Sequence, residues 1–327
     1  MILFVFSEIG SANFLIPVIK SIKSEYLCVC TKPIQEFIKN HSIVSYLDDK
    51  NIDFSKIVTI ICGTSLNNKL ESKYLSISKK KKIKSISIVD HWTNFNYRFK
   101  FNKTSLYPDF IFVNDIYALK YACDSGISKD KIVITGNPHL EKLSNKQLKP
   151  IAISDWKSCL ESKNQIIVTF ISESYKDDFP VDSESYEGFD EFDVLNDLIR
   201  ICEKEKYFLV IRNHPSESKS KYLSFENKNI KVDIDSSFDT IISNSNFIVG
   251  MGSMFLIEAS FFRNDIISYR PNEKIPFIGN DINMTKLITT KHELELLLSS
   301  SSNYKTKLKA NNYHKGSLDK ILNFIKK

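Results

Sequence analysis

Val210-Ile211-Arg212-Asn213-His214-Pro215-Ser216-Glu217 is an apolar strand that runs straight into a polar quartet. Pro215 suits the first turn of a helix, where its missing N–H goes unused, so the stretch predicts strand, turn and helix start. That geometry aims His214 and the open N–H groups of the turn beyond the strand, a setting suited to an anion. The competing reading is a histidine that only satisfies the turn, and Arg212 beside it favours the anion. One strand-and-helix unit later comes Phe247-Ile248-Val249-Gly250-Met251-Gly252-Ser253-Met254-Phe255-Leu256-Ile257-Glu258-Ala259. Its glycines allow close backbone approach, Ser253 is a natural N-cap, and the following helix presents its positive end. A Gly-x-Gly-Ser turn also occurs as plain strand-to-helix geometry; its weight here comes from its spacing after His214. Arg212, His214, Gly252 and Ser253 together predict a phosphate-binding site.

Working outward, short β-branched or aromatic runs alternate with helix-like stretches along the whole chain. In the first half the runs are Ile2 to Phe6, Tyr26 to Cys30, Ile57 to Cys62, Ser85 to Val89, Phe110 to Val113 and Ile132 to Thr135. In the second they are Gln165 to Ile171, Tyr207 to Ile211, Phe247 to Val249 and Ile266 to Tyr269, with helices near Glu191 to Glu203, Met254 to Phe262 and Lys291 to Leu298. Such alternation predicts parallel sheets covered by helices. The fold class is α/β, with two Rossmann-like domains facing a cleft. Their expected limits are 1–148 and 149–303, with the segment 304–327 as a C-terminal helix packing back on the first domain. The acidic, aromatic segment Lys176 to Gly188 has no clear period and reads as a loop over the cleft.

The 327 residues exceed what one hydrophobic core comfortably holds, and 42% are hydrophobic, which excludes a disordered chain. The apolar start, Met1 to Phe6, is broken by Ser7-Glu8 and lacks a preceding basic region, so it reads as a strand and not a signal peptide. No apolar run approaches the roughly 20 residues of a spanning helix, and the expected location is cytoplasmic. The six cysteines, at 28, 30, 62, 123, 159 and 202, sit mostly in apolar runs and read as free thiols. The net charge of +6 owes much to Lys79 to Lys82, Lys84 and a lysine-rich tail. Such a run is a solvated face or, on the functional reading, a peripheral contact with the inner face of a membrane. The basic residues are not interleaved with aromatics in any nucleic-acid-binding module, so nucleic acid is not an expected partner.

In open α/β sheets ligands bind beyond the carboxyl ends of the strands, so the residues that follow each strand are the candidates. Ser7-Glu8-Ile9-Gly10-Ser11 follows the first, and Glu8 is there either a proton acceptor or a helix-start residue favoured by the dipole. Asp90-His91-Trp92-Thr93-Asn94 follows the fourth and collects a carboxylate, an imidazole and one of two tryptophans. Asp90 or His91 can serve as base, Trp92 can stack on a sugar face, and Asn94, Arg98 and Ser11 can hydrogen-bond an acceptor; the alternative is a His-Trp packing corner. Ser172-Glu173 ends the first strand of the second half, where Glu173 either holds a ribose or sugar hydroxyl or only caps.

The pairing of Arg212-Asn213-His214-Pro215 with Gly250 to Ala259, followed by Ile266 to Pro271, resembles the donor-binding half of GT-B glycosyltransferases of bacterial surface-polysaccharide synthesis. Tyr107 to Asp115, Gly126, and Lys131 to Pro138 are similar to the end of the acceptor domain in such enzymes, and the likeness covers about residues 1 to 300. The resemblance implies a nucleotide-sugar or other sugar-phosphate donor and a glycan or lipid-linked glycan acceptor. Ser172, Glu173, Asn137 and Glu258 then serve the donor's nucleotide or sugar. The His-Pro pair also resembles that of sialyl- and polysialyltransferases, whose acidic-acidic-Gly base motif has only a partial counterpart in Glu187-Gly188. The chain lacks the Glu-x7-Glu motif of retaining relatives. It also lacks an Asp-x-Asp metal motif, so no metal and no other cofactor is expected. Glycosyl transfer is the leading expectation. A nucleotide-sugar 2-epimerase, a CDP-polyol phosphotransferase and a non-catalytic sugar-nucleotide-binding protein are the alternatives.

Overall fold

The computed structural model describes residues 1–46, 48, 50, 52–65, 69–101, 104–148, 165–183, 185–215, 217–300 and 314–326. The chain divides into two compact units, Met1–Asn145 with Asn311–Lys327, and Lys146–Ala310. The domain limits expected at 148/149 and 303/304 adjoin the stretches 149–164 and 301–313, which lie outside the described residues, as does Cys159.

The first unit runs β1 (Ile2–Phe6), α1 (Ile9–Ser21), β2 (Tyr26–Cys30), α2 (Lys32–Lys39), β3 (Thr59–Cys62), α3 (Leu70–Lys81), β4 (Lys84–Val89), α4 (Phe95–Arg98), β5 (Lys100–Phe101), β6 (Thr104–Ser105), β7 (Phe110–Val113), α5 (Ile116–Asp124), β8 (Ile132–Ile134) and α6 (Pro138–Ser144). Its parallel sheet has the order β2-β1-β3-β4-β7-β8, and β5 and β6 form a separate antiparallel pair. The central strands are buried because helices cover both faces: every residue of β1 and β3 is buried, and every residue of β4 after Lys84. A parallel bridge from Val29 to Tyr46 extends the outer side of β2. The C-terminal helix Ser317–Lys326 belongs to this unit: Ile321 is buried in its core, and Phe324 packs edge-on against Phe110 and Phe112 at 5.0 and 5.1 Å. The Glu141 carboxylate accepts the N–H groups of Gly316 and Leu318 and fixes the start of that helix.

The second unit runs β9 (Ile167–Ile171), α7 (Tyr175–Asp178), α8 (Glu191–Glu205), β10 (Phe208–Arg212), β11 (Ile230–Asp233), α9 (Phe238–Asn244), β12 (Phe247–Gly250), α10 (Met254–Ala259), β13 (Ile266–Tyr269), α11 (Ile278–Asp281), β14 (Lys286–Ile288) and α12 (Lys291–Ser299). Its sheet is parallel, in the order β11-β10-β9-β12-β13-β14, the arrangement of a doubly wound dinucleotide fold. Successive strands are added on one side of β9 (β10, β11) and then on the other (β12, β13, β14). The crevice of such a sheet therefore opens between the ends of β9 and β12, and in the first unit between the ends of β1 and β3.

The lysine run is partly explained by local packing. Lys79 pairs with Asp109 at 3.3 Å, Lys81 lies over the Phe54 ring, and Lys84 lies over Phe110 and Phe324. Among the described residues, no helix is long and apolar enough to cross a membrane. Cys28, Cys30, Cys62, Cys123 and Cys202 are free thiols, and burial pushes Cys28, Cys30, Cys62 and Cys202 above their ordinary pKa.

Candidate active site

In the second unit, sheet register sets the predicted phosphate residues in a row. Arg212 pairs with Ile171, and Ile171 pairs with Gly250, so the Arg212–Pro215 turn and the Gly250–Ser253 turn flank the end of β9. The expected helix start at Pro215 is not there. The segment after β10 is a tight turn because side chains satisfy its backbone: the Glu217 carboxylate accepts the His214 N–H at 2.8 Å, and the Asn213 amide donates to the Ser218 carbonyl at 3.1 Å. Glu217 is the centre of this corner. It also accepts from Ser172 Oγ at 3.0 Å, Tyr222 Oη at 3.2 Å and Lys221 Nζ at 2.7 Å, and Lys221 makes a second, short ion pair with buried Glu191.

The His214 ring is exposed, with Arg212, Glu217, Lys221 and Asp178 around it. Partial desolvation holds its pKa below the ordinary value against the opposing pull of Glu217 and Asp178. Arg212 is partly exposed, with one guanidinium N–H reaching the Asp233 carbonyl at 3.4 Å. Ser253 caps α10 as expected, its Oγ accepting the Phe255 N–H at 3.1 Å. Glycine is required at 252, since a Cβ there would stand 2.5 Å from the Tyr175 hydroxyl and 3.1 Å from the Arg270 guanidinium. Between the two turns, Glu173 accepts the Gly252 N–H at 2.8 Å, and burial raises its carboxyl to about 7.

Three donor-side expectations need correction. Ser172 is fully buried and committed to Glu217 and Tyr222, so it anchors the corner instead of meeting a ligand. Asn137 lies in the first unit, where its side chain accepts the His139 and Leu140 N–H groups as the cap of α6 and is buried. Glu187, in the Glu187-Gly188 pair, is buried against Arg270, and a Cβ at Gly188 would meet the Asn272 carbonyl; the pair secures a loop and offers no free base. Arg270 itself is spent on Glu273, Tyr175, Glu187 and the Ile275 carbonyl. Glu258 sits near the far end of α10, partly exposed and five residues beyond Ser253.

In the first unit, Glu8 follows β1 and precedes α1 as predicted, but its side chain does not cap α1; it accepts the Ser65 hydroxyl across the opening between β1 and β3. Asp90, at the end of β4, lies against Gly10 so closely that any Cβ at position 10 would overlap its carboxylate. Burial raises the Asp90 carboxyl above the usual carboxylate range, opposed by Arg98 and His139 and reinforced by Glu8. Arg98 is held by the Thr93 carbonyl at 3.1 Å and Thr64 Oγ1 at 3.2 Å. Asn114 donates to the Asp90 carbonyl at 2.9 Å and fixes the strand end. Asn94 is exposed, with φ at 64°, and starts the turn that carries Arg98.

Three acceptor-side expectations also change. Trp92 is fully buried, its indole N–H given to Asp115 at 2.6 Å, so it cannot stack on a sugar. Its ring meets His91 edge-on at 6.0 Å, which is the packing-corner reading. His91 is held by burial, and then by Arg98, at a pKa of about 3, and its Nδ1 faces Thr93. An imidazole that low is a weak base, which leaves Asp90 and Glu8. Ser11 is buried and exchanges hydrogen bonds with the Thr64 backbone at 3.3 and 3.4 Å, securing the loop after β3.

The sequence reading also passed over Glu71. It is 4% exposed, accepts from Ser7 Oγ at 2.6 Å, leaves its second oxygen without a partner, and is raised by burial to about 7. It stands beside the Glu8 turn, but its place inside a lysine-rich helix gives no sign of that in one sequence. Among the described residues no cluster of three or more His, Cys, Asp or Glu is placed to hold a metal ion.

The fold is shared with several solved proteins. UDP-GlcNAc 2-epimerase from Methanocaldococcus jannaschii, in complex with UDP-GlcNAc and UDP, is 13% identical over 99% of each chain with a TM-score of 0.65. Anabaena HepE in complex with UDP-glucose is 12% identical over 99% of this chain and 98% of its own, also at 0.65. The kitacinnamycin glycotransferase is 10% identical over 98% and 95%, at 0.58. No protein-family model and no curated protein matches the sequence. At these identities the likeness establishes the architecture: two Rossmann-like units of the GT-B type, as the sequence reading expected.

Proposed function

We propose that the protein is a glycosyltransferase that moves a sugar from a nucleotide-activated donor to a hydroxyl of a surface glycan or its lipid-linked precursor. The observation that carries the reading is the row Arg212–Ile171–Gly250, which puts a cationic turn and a glycine turn on either side of a switch-point strand. Phosphate charge developing on the leaving nucleotide would be met by the Arg212 guanidinium, the His214 ring and the Gly252-Ser253 backbone, donors fixed before the reaction begins. Glu258 is assigned to the nucleotide or sugar. In the first unit Asp90 is the base for the acceptor hydroxyl, with Glu8 beside it and Asn94 and Arg98 as acceptor contacts.

A second reading, nucleotide-sugar epimerisation, is supported by Glu173, a carboxyl near neutral pKa in the donor-binding unit that offers a second proton-handling group. NMR of nucleotide sugars mixed with the protein separates the two. Interconversion of the sugar with no acceptor present identifies an epimerase, whereas transfer requires an added glycan acceptor and releases the nucleotide. If neither occurs with any nucleotide sugar although nucleotides bind, the protein is a non-catalytic binder and the proposal fails.

A further inference from the structure

The Gly252 N–H, which the proposed function gives to a donor phosphate, already has an anion on it. Glu173 Oε2 accepts that N–H at 2.8 Å, at the end of β9 and across the switch point from β12. Among the described residues the carboxylate makes no other hydrogen bond. Arg270, whose charge acts on Glu173, is committed to Tyr175, Glu187, Glu273 and the Ile275 carbonyl, and the Tyr175 hydroxyl accepts from it at 2.8 Å. Two carboxylates, Glu187 and Glu217, also act on Glu173 and disfavour its charge. A phosphate arriving at Gly252 must therefore displace an intramolecular carboxylate and then lie beside it.

We propose that Glu173 holds the phosphate position in the empty protein and becomes a phosphate-binding acid when the donor arrives, so that nucleotide binding takes up a proton. Two anions side by side on one N–H repel, and protonation of the weaker acid removes the repulsion. The neutral carboxyl can then donate its O–H to a phosphate oxygen, turning a competitor into a contact. Burial, countered by the Gly252 N–H and Arg270 and reinforced by Glu187 and Glu217, already places Glu173 at about 7, so the proton is available near neutrality. The inference rests on the proposed phosphate site. It gives Glu173 a role on the phosphate in place of the ribose or sugar hydroxyl suggested by its position.

Calorimetry tests it with UDP, CDP and GDP, taking the tightest binder, between pH 7 and 9. There the terminal phosphate, with a second pKa of about 6, is already ionised. His214, held below its ordinary value by partial desolvation, is the other group that an arriving phosphate could protonate, and His214→Gln separates the two. In buffers of different ionisation enthalpy, the wild type should take up as much as one proton per nucleotide at pH 8. Its affinity should weaken by up to about tenfold per pH unit above pH 7. Glu173→Gln, which keeps an acceptor for Gly252, should bind without that uptake or slope and more tightly than the wild type at pH 8.5. Glu173→Asp should restore the uptake. His214→Gln should weaken binding and leave the uptake in place. Absence of uptake in the wild type, or an equal uptake in Glu173→Gln, overturns the inference. If affinity is insensitive to Arg212→Ala and His214→Ala, the phosphate site itself is wrong and this inference falls with it.

Discussion

Asp90 and Glu71 are carboxyls raised by the same cause, burial, yet they have different consequences. Asp90 is partly exposed at a strand end, where a base must lose its proton before it can accept one. Turnover should therefore fall with decreasing pH through a pKa above the ordinary carboxylate range. Asp90→Asn should abolish turnover while nucleotide affinity stays at the wild-type value, and a parallel loss of nucleotide affinity would refute the assignment. Glu71 is closed off from solvent, and its effect is on stability. Its folded pKa of about 7 lies above the unfolded value, so its contribution is full below about pH 4.5 and is lost as pH rises to 7. At pH 8 the ionised group costs roughly 3 kcal/mol at most, since each pKa unit is worth about 1.4 kcal/mol. Glu71→Gln should gain thermal stability relative to the wild type as pH rises from 4.5 to 8, which melting curves at both pH values would show. A stability difference that does not change with pH would mean that Glu71 is charged at no cost. Asp90 was legible in the sequence because it follows an apolar strand. Glu71 was not, because burial of a helix residue depends on what packs over it.

Element by element, the buried strands were legible and the edges were not. All six strands of the first sheet appear as apolar runs, and four of the six in the second. The two missed, Ile230–Asp233 and Lys286–Ile288, are edge strands, short and interrupted by Lys231 and Lys286, the usual means of keeping an edge soluble. The turn after β10 was misread as a helix start because Pro215 is compatible with one; the Glu217 carboxylate, three residues on, takes the His214 N–H instead. Two neighbouring positions of the glycine turn make separable predictions. Ser253→Ala removes the cap of α10 and should cost about 1 kcal/mol in denaturant unfolding. Gly252→Ala drives a methyl into Tyr175 and Arg270 and should cost roughly 1–3 kcal/mol and abolish nucleotide binding. Normal nucleotide affinity in Gly252→Ala would exclude that turn from the site.

For the whole molecule, the first unit closes with a helix from the far end of the chain. Ile321 and Phe324 complete a core whose strands come from the first half, while the second unit has its own core around Phe170, Leu198 and Val249. Ile321→Ala should therefore destabilise by about 2–5 kcal/mol. Hydrogen exchange should show the loosening in the first unit and leave β9, β10 and β12 protected; loosening spread evenly over both units would contradict this division. The architecture was readable from alternation alone, as was the position of Arg212, His214, Gly252 and Ser253 at and beyond two strand ends. Ser172, Asn137 and Trp92 were misjudged because a strand-end position does not say whether a side chain faces outward or is already bonded inward. Binding of the phosphate of an activated nucleotide by Arg212, His214 and the Gly252-Ser253 turn is tested most directly by thermal shift with UDP, CDP, GDP and CMP on the wild type, Arg212→Ala and His214→Ala. At least one nucleotide should raise the wild-type melting temperature by mass action, with most of that rise lost in both variants. No rise with any nucleotide, or an equal rise in all three proteins, would contradict it.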